Sequence, residues 1–174
     1  MAFTVEDGTS VNGANAYVTA DYFKAYHKDR GTTITSGGGD IQAAIIRATD
    51  FMSARWLFVG VQLNSTQGLH WPARDARYRD GRLIGSDEVP VEVMESCAEY
   101  AKRELDSPGA LTTDPTYEDS NAIVVKSRDK VGPIEEEREF GSQGSPQTWR
   151  KFPKPDELLR RTGLVITGNR LLRS

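Results

Sequence analysis

The side chains that most often carry out chemistry in proteins are scarce in this sequence of 174 residues, which holds two histidines and one cysteine. Histidine is the most frequent general base and metal ligand, and a cysteine thiolate is a common nucleophile. His27 falls in a stretch rich in aromatic residues, and His70 lies between Leu69 and Trp71. We expect packing or surface roles for both histidines and a buried position for Cys97.

The sequence also lacks the spaced motifs that assemble metal, phosphate or nucleophile sites. No CxxC, HExxH or EF-hand pattern occurs in it. The run Gly37-Gly38-Gly39 is not followed by the Lys-Ser/Thr pair of a phosphate-binding loop, and residues 141–145 do not follow the GxSxG order of a nucleophile elbow. We therefore predict a protein that is not an enzyme and that holds no metal or cofactor.

One basic run could instead contact nucleic acid. Four side chains between residues 71 and 82 could stack on bases or pair with the phosphates of single-stranded DNA. They are Trp71, Arg74, Arg77 and Arg82. Aspartates are interleaved with these arginines, so ion pairs within the loop are the alternative explanation of the same pattern.

Charge is distributed unevenly between the main part of the chain and its C-terminal end. The net charge is −3, and residues 150–174 hold seven basic and two acidic side chains, or +5, which leaves −8 for the rest. Such an asymmetry is typical of an interaction segment. A chain with a negative overall charge is not expected simply to coat nucleic acid.

Hydrophobic spacing predicts four helices. Thr19 can cap the first helix, which ends near Gly31, and Asp40 can cap the second. Ser86 or Asp87 can cap the third, with a proline in its first turn. Apolar residues recur at helical spacing in the second and third helices. They are Ile41, Ile45, Ala48 and Met52 in the second helix, and Val93, Cys97, Ala101 and Leu105 in the third.

The C-terminal third changes character. Residues 122–140 combine a β-branched run, a Gly-Pro turn and a charged second strand, which predicts a β-hairpin. Two isolated strands are only marginally stable in water, so this hairpin needs packing against helices or another subunit. After a Gly/Ser linker, a short helix from Pro155 to Arg161 is predicted to end at Gly163.

These elements predict a mainly α fold, a small bundle of about four helices with a β-hairpin excursion and an extended C-terminal arm. We assign residues 1–153 to a helical body with its hairpin, and residues 154–174 to the short helix and arm, within one domain overall. The apolar share of 37% and charged share of 27% fit a soluble protein. No secretory signal or membrane span is indicated.

Several strings of the sequence resemble a family of small proteins of tailed bacteriophages and prophages. They are residues 5–9 (VEDGT), 14–18 (ANAYV), 26–31 (YHKDRG), 43–51 (AAIIRATDF), 69–74 (LHWPAR), 80–81 (DG), 89–90 (VP) and 130–134 (KVGPI). The family is often labelled "DnaT-like single-stranded DNA-binding protein", and its members look like the head-tail adaptors, or connectors, of the phage neck. The compact Ser36–Gly39 joint is a departure from that pattern.

The adaptor resemblance implies a structural subunit that forms a ring of about twelve copies under the phage portal. The ring would extend the channel through which double-stranded DNA passes without sequence recognition, and it would meet a stopper, tail-terminator or tail-tube protein below. The protein would then reside in the virion neck, and in the host cytoplasm during assembly. The alternative is a single-stranded DNA-binding replication or primosome protein.

The resemblance also implies which residues make these contacts. In such adaptors the C-terminal segment docks on the portal, and the corresponding residues here are Leu164, Val165, Ile166, Arg170, Leu171, Leu172 and Arg173. The charged hairpin is expected to line the channel or to contact a neighbouring subunit. Its candidate residues are Lys130, Glu135, Glu136, Glu137 and Glu139.

Overall fold

A computed structural model describes residues 2–112, 124–130, 135–140 and 151–166. The helices are α1 (Ala20–Lys28), α2 (Gly38–Arg55), α3 (Val91–Asp106) and α4 (Pro153–Thr162). The strands are β1 (Val61–Gln62), β2 (Ala73–Arg74), β3 (Val124–Lys130) and β4 (Glu135–Phe140). The predicted mainly α class, with four helices and a hairpin, is confirmed. The arm that would follow Ile166 lies outside the described residues.

Local sequence signals set most of the helix ends. Thr19 caps α1 as predicted, because its Oγ1 accepts a hydrogen bond from Tyr22 N at 3.0 Å. α2 begins at Gly38, so Asp40 lies in its first turn rather than at the cap. α4 ends at Gly163, which adopts φ 79° as a left-handed C-cap.

The start of α3 differs from the prediction of a cap at Ser86 or Asp87. The helix begins only at Val91, with Pro90 in the cap position. The preceding segment is held against the N-terminal loop instead, since the Asp87 carbonyl oxygen lies only 2.3 Å from where a Cβ on Gly8 would stand. The close approach of these two backbones requires glycine at position 8.

The core lies where α2, α3 and α4 meet. α2 packs on α3, and α3 packs on α4. The predicted stripes are confirmed as the packing faces, because Ile41, Ile45, Ala48 and Met52 of α2 and Val93, Cys97 and Ala101 of α3 are all fully buried. Leu105, the last residue of the α3 stripe, is half-buried.

The contacts divide the chain into two units. The first, here called the body, comprises Met1–Leu111 and Lys151–Ser174; the second, here called the hairpin unit, comprises Thr112–Arg150. The predicted division into residues 1–153 and 154–174 within one domain stays a prediction. The described part of the chain contains no helix that is long and apolar enough to cross a membrane.

In the hairpin unit, β3 and β4 are antiparallel, with a register shift between Val124 and Lys126. The backbone register places Lys126 opposite Glu139, Arg128 opposite Glu137, and Lys130 opposite Glu135. The predicted hairpin is therefore present.

Candidate interaction surfaces

The histidines and the cysteine occupy packed positions in the body. His27 Nε2 is 3.2 Å from the Ala98 carbonyl oxygen, and His70 Nε2 is 2.9 Å from that of Val59. Burial lowers the pKa of both histidines and raises the pKa of the Cys97 thiol to about 11. Among the described residues, no three His, Cys, Asp or Glu side chains group together to hold a metal.

A buried charged network fixes the start of α4 to α2 and α3. Asp156 accepts hydrogen bonds from Arg55 at 2.6 Å, from Tyr100 Oη at 2.5 Å and from the Phe152 backbone N–H at 3.1 Å. Trp56 Nε1 donates in turn to Tyr100 Oη at 3.1 Å. The side chains of Arg55 and Asp156 are 4% and 5% exposed, so their ion pair is screened little by solvent.

A second network joins α1, α3 and α4. Glu99 accepts hydrogen bonds from Tyr26 Oη at 3.0 Å and from Arg103 at 3.1 Å, and it pairs with Lys154. Desolvation by burial opposes ionisation of Glu99, but the hydrogen bonds from Lys154, Arg103 and Tyr26 outweigh it and lower the pKa of the carboxyl group. The two networks orient α4, and with it the chain that continues past Gly163.

The first residues of the expected docking arm belong to the core of the body. Leu164 is fully buried and Val165 is 5% exposed. Val59 N donates to Leu164 O at 3.0 Å, and Ile166 N donates to Leu57 O at 2.8 Å, around an antiparallel bridge between Phe58 and Val165. Leu164 and Val165 are therefore corrected from docking residues to core residues, because a backbone ladder and apolar burial already satisfy them.

Exposed apolar side chains begin where that ladder ends. Leu57 and Ile166 face each other across the two backbone segments and are 67% and 37% exposed. Val61, Leu83 and Val91 are also exposed. Of the residues expected to dock on the portal, Ile166 is exposed. The others, Arg170, Leu171, Leu172 and Arg173, lie outside the described residues.

The expected base-stacking residue of the 71–82 run is inaccessible. Trp71 has no exposed surface, and its ring packs edge-on against Phe58 at 6.3 Å between centroids. The burial corrects its assignment as a DNA contact, because a base needs access to the ring face. Within residues 2–112 and 151–166, every phenylalanine, tyrosine and tryptophan is buried or half-buried.

The arginines of the same run are exposed, and the structure brings a further one beside them. Arg74, Arg77 and Arg82 lie at the surface, as does Arg79. Arg161, near the end of α4, joins Arg79 in lining a shallow cleft of about 320 Å³. Tyr78, Asp80 and Thr162 complete the lining.

Ion pairing within the loop is less extensive than the interleaved aspartates suggested. Arg82 lies 3.8 Å from Asp80, and its guanidinium covers the Tyr78 ring at 4.4 Å from the centroid. Within the described ranges, no carboxylate lies within salt-bridge distance of Arg74, Arg77, Arg79 or Arg161. No local pattern indicates that Arg161 joins Arg79, since 82 positions separate them.

In the hairpin unit, the register separates the candidate residues. Lys130 stands opposite Glu135, Glu137 opposite Arg128, and Glu139 opposite Lys126, while Glu136 stands opposite Asp129. The expectation that these residues line a channel or contact a neighbouring subunit stays a prediction.

Comparison with known proteins identifies the family. The chain matches, over residues 1–171, the model of a family described as "Putative DnaT-like ssDNA binding protein". With nearly the whole chain matched, it belongs to that family. None of the curated proteins and none of the solved structures compared with it matches the chain.

Proposed function

We propose that this chain is a non-catalytic structural subunit, a head-tail connector that forms a ring under a bacteriophage portal. The observation that carries the proposal is the β3–β4 hairpin, whose strands pair with each other in a sheet of two. A two-stranded ribbon is only marginally stable alone. Contact with a neighbouring subunit would supply the missing stabilisation.

Two further observations support the connector. The strings that resemble phage adaptors run in order from residue 5 to residue 134. The exposed pair Leu57 and Ile166 lies at the end of the described C-terminal segment, and basic residues follow Ile166 in the sequence. Fully burying such a side chain at an interface contributes roughly 1.5–3 kcal/mol, and repetition around a ring makes modest contacts avid.

In this proposal the partners are other copies of the chain, the portal, and a stopper, tail-terminator or tail-tube protein below. Double-stranded DNA would pass through the ring without sequence recognition, in the neck of the virion. The C-terminal residues from Ile166 onward would dock on the portal, anchored by the buried Leu164 and Val165.

The test is imaging of necks purified with the portal, with this chain located and its copies counted. A chain ending at Ile166 should keep its fold but lose portal binding, since the core residues remain. A chain ending at Gly163 is the comparison, because it loses two core residues and should also unfold more easily. Portal binding that is unchanged in the chain ending at Ile166 would rule out the docking role.

The second candidate function is binding of single-stranded DNA in replication or primosome assembly. The family's description supports this candidate directly, whereas it says nothing of a neck or a portal. Arg79 and Arg161, which have no carboxylate partner among the described residues, also support it, because phosphates pair well with guanidinium groups. The burial of Trp71 removes the expected stacking contact.

Oligonucleotide binding separates the two candidates. A single-stranded DNA-binding protein should prefer an oligothymidylate to a duplex of the same length at low salt. Its affinity should fall with salt at a log-log slope of roughly 0.7 per phosphate contacted. Absence of that preference, together with rings in the portal preparation, favours the connector; the reverse favours the DNA-binding protein.

A further inference from the structure

The cleft between Arg79 and Arg161 is held by backbone contacts rather than by flexible side chains. Arg79 N donates to the Thr162 carbonyl oxygen at 2.8 Å, which ties the loop to the last turn of α4. A Cβ on Gly163 would lie 3.1 Å from Arg79 N and 3.2 Å from its Cα, so the two backbones are in close contact. Two arginines from distant parts of the sequence are thereby kept on one surface.

The loop that carries Arg79 is itself a small hairpin. Ile84 N donates to Ala76 O at 3.0 Å, and Tyr78 N donates to Arg82 O at 2.9 Å. Ala76 and Ile84 are buried and anchor the base of this hairpin in the core. The arginines at positions 77, 79 and 82 are consequently presented by an ordered turn.

The charge of this surface is only partly compensated. Asp80 lines the cleft, yet its nearest basic group is Arg82 at 3.8 Å, and both side chains are about two-thirds exposed. Such an exposed pair is weak. Arg79 and Arg161 have no salt-bridge partner among the residues that the structure describes. An anion in the cleft would therefore meet two guanidinium groups that it need not displace from carboxylates.

The surroundings of the cleft decide what kind of anion fits. Its one aromatic residue, Tyr78, is covered by the Arg82 guanidinium and donates its hydroxyl to Glu92 at 3.1 Å. A nucleobase would find no open ring to stack on there. Phosphate oxygens, in contrast, match the planar donor groups of Arg79 and Arg161.

We propose that this cleft binds the phosphodiester backbone of nucleic acid through Arg79 and Arg161, without contacting bases. Binding of this kind carries no sequence information and does not favour single strands over duplexes. The inference needs only that the protein meets DNA, as it does in both candidate functions, and it differs from the family's description in predicting no preference for single strands.

The test uses the full chain and a double variant, Arg79→Gln with Arg161→Gln. Fluorescence anisotropy at low salt measures the affinity for a labelled oligothymidylate and for a duplex of equal length. Both affinities should fall by about tenfold or more, because two charge-assisted contacts are lost. The slope of log affinity against log salt concentration should decrease in magnitude by about 1.4 for the single strand and by about 1.8 for the duplex, which corresponds to two lost phosphate contacts.

A matched control removes two exposed charges elsewhere, through Lys24→Gln and Lys28→Gln in α1. It should leave both affinities within about twofold of the unmodified chain if the cleft is the site, since it spares both cleft arginines. Thermal unfolding of all three proteins checks that the fold is intact, and little change is expected because every substituted side chain is exposed.

Competition experiments identify the anion. A phosphodiester site predicts that unlabelled duplex displaces the probe at far lower concentration than inorganic phosphate or polyglutamate does. Three results would overturn the proposal. They are unchanged DNA affinity in the double variant, binding of the single strand alone, and an arginine-dependent affinity for polyglutamate without DNA binding, which would indicate an acidic protein partner.

Discussion

Asp156 interacts both with its own helix and with a side chain from a distant helix. In the sequence it is an acidic residue in the first turn of a short helix, where the helix dipole alone accounts for it. Arg55 is a basic residue in the last turn of α2, where the helix dipole favours a positive charge. Because each residue is explained by its own helix, nothing in the sequence indicated that they pair across 101 positions.

Replacing Asp156 by asparagine should cost about 3 kcal/mol or more of unfolding free energy. The substitution leaves the buried Arg55 guanidinium without its charged partner in Asp156, and breaking a buried pair costs about 3–5 kcal/mol. Urea denaturation with an unchanged m-value measures the loss. Asp80→Asn, in the exposed pair with Arg82, is the control and should change stability by less than about 1 kcal/mol. Equal effects of the two variants would contradict the assignment.

The histidines predict how stability depends on pH. Burial lowers the pKa of His27 and His70 in the folded chain below 6.5, so the unfolded chain binds protons at a higher pH than the folded chain does. Unfolding free energy should therefore be fully present above pH 6.5 and should fall as the pH drops below it. Urea midpoints across this range measure the slope, and His27→Gln and His70→Gln should each reduce it. A flat profile in the unmodified chain would be inconsistent with buried neutral histidines.

At the scale of the elements, sequence patterns were informative wherever the signal was local. The Thr19 cap, the apolar stripes of α2 and α3, and the Gly163 stop were all predictable, because capping and helical periodicity act within a few residues. The start of α3 was not predictable, because the segment before it packs against the N-terminal loop at Gly8, which is distant in the sequence.

The role of the segment after Gly163 was likewise not predictable from local sequence patterns. An apolar triplet following a short helix has the same pattern whether it docks on a partner or completes its own core. Its partner strand, around Phe58, lies about a hundred residues earlier. Only the pairing of Val59 with Leu164 and of Leu57 with Ile166 distinguishes the two outcomes.

Gly163→Ala should destabilise the body by about 2 kcal/mol or more. A left-handed backbone at φ 79° costs an alanine roughly 1–2 kcal/mol, and the new Cβ would stand 3.0 Å from the Arg79 Cβ. Gly81→Ala separates the backbone cost from the steric cost. Gly81 has φ 89° but no atom near its Cβ position, so this variant should lose only the stability that the left-handed backbone costs an alanine. Thermal or urea unfolding measures both variants. A loss for Gly163→Ala that is no larger than the loss for Gly81→Ala would show that the contact with Arg79 adds no cost.

At the scale of the whole molecule, the body is assembled from two separated stretches of chain, with the hairpin unit inserted between them. Both ends of the insertion are fixed near the last turns of α3. Glu104 accepts a hydrogen bond from Gly109 N at 2.7 Å, and the Arg103 guanidinium lies 6.0 Å from the Phe152 ring centroid. The ring was expected from the resemblance of the strings between residues 5 and 134, and no pattern within one chain indicates which surfaces a ring would use.

Replacing residues 113–149 by a flexible Gly/Ser linker of about ten residues should leave the body folded, because such a linker spans about 17 Å and the insertion ends are already anchored. Circular dichroism and a melting temperature within a few degrees of the full chain would support this. Under the connector proposal the same variant should no longer form rings. A chain that fails to unfold cooperatively would show that the hairpin unit is part of the body's core.

The distance along the chain between Arg55 and Asp156 also has a consequence for how the protein is made. During synthesis, α1, α2 and α3 emerge long before α4, and for that interval the Arg55 side chain has no Asp156 to meet. The Phe51 ring, which packs against Phe152 in the folded chain, is without that contact for the same interval. Until then the nascent chain exposes the side chains of α3 that α4 later covers, and exposed apolar surface of this kind is what chaperones bind. The body can therefore close only after α4 has emerged.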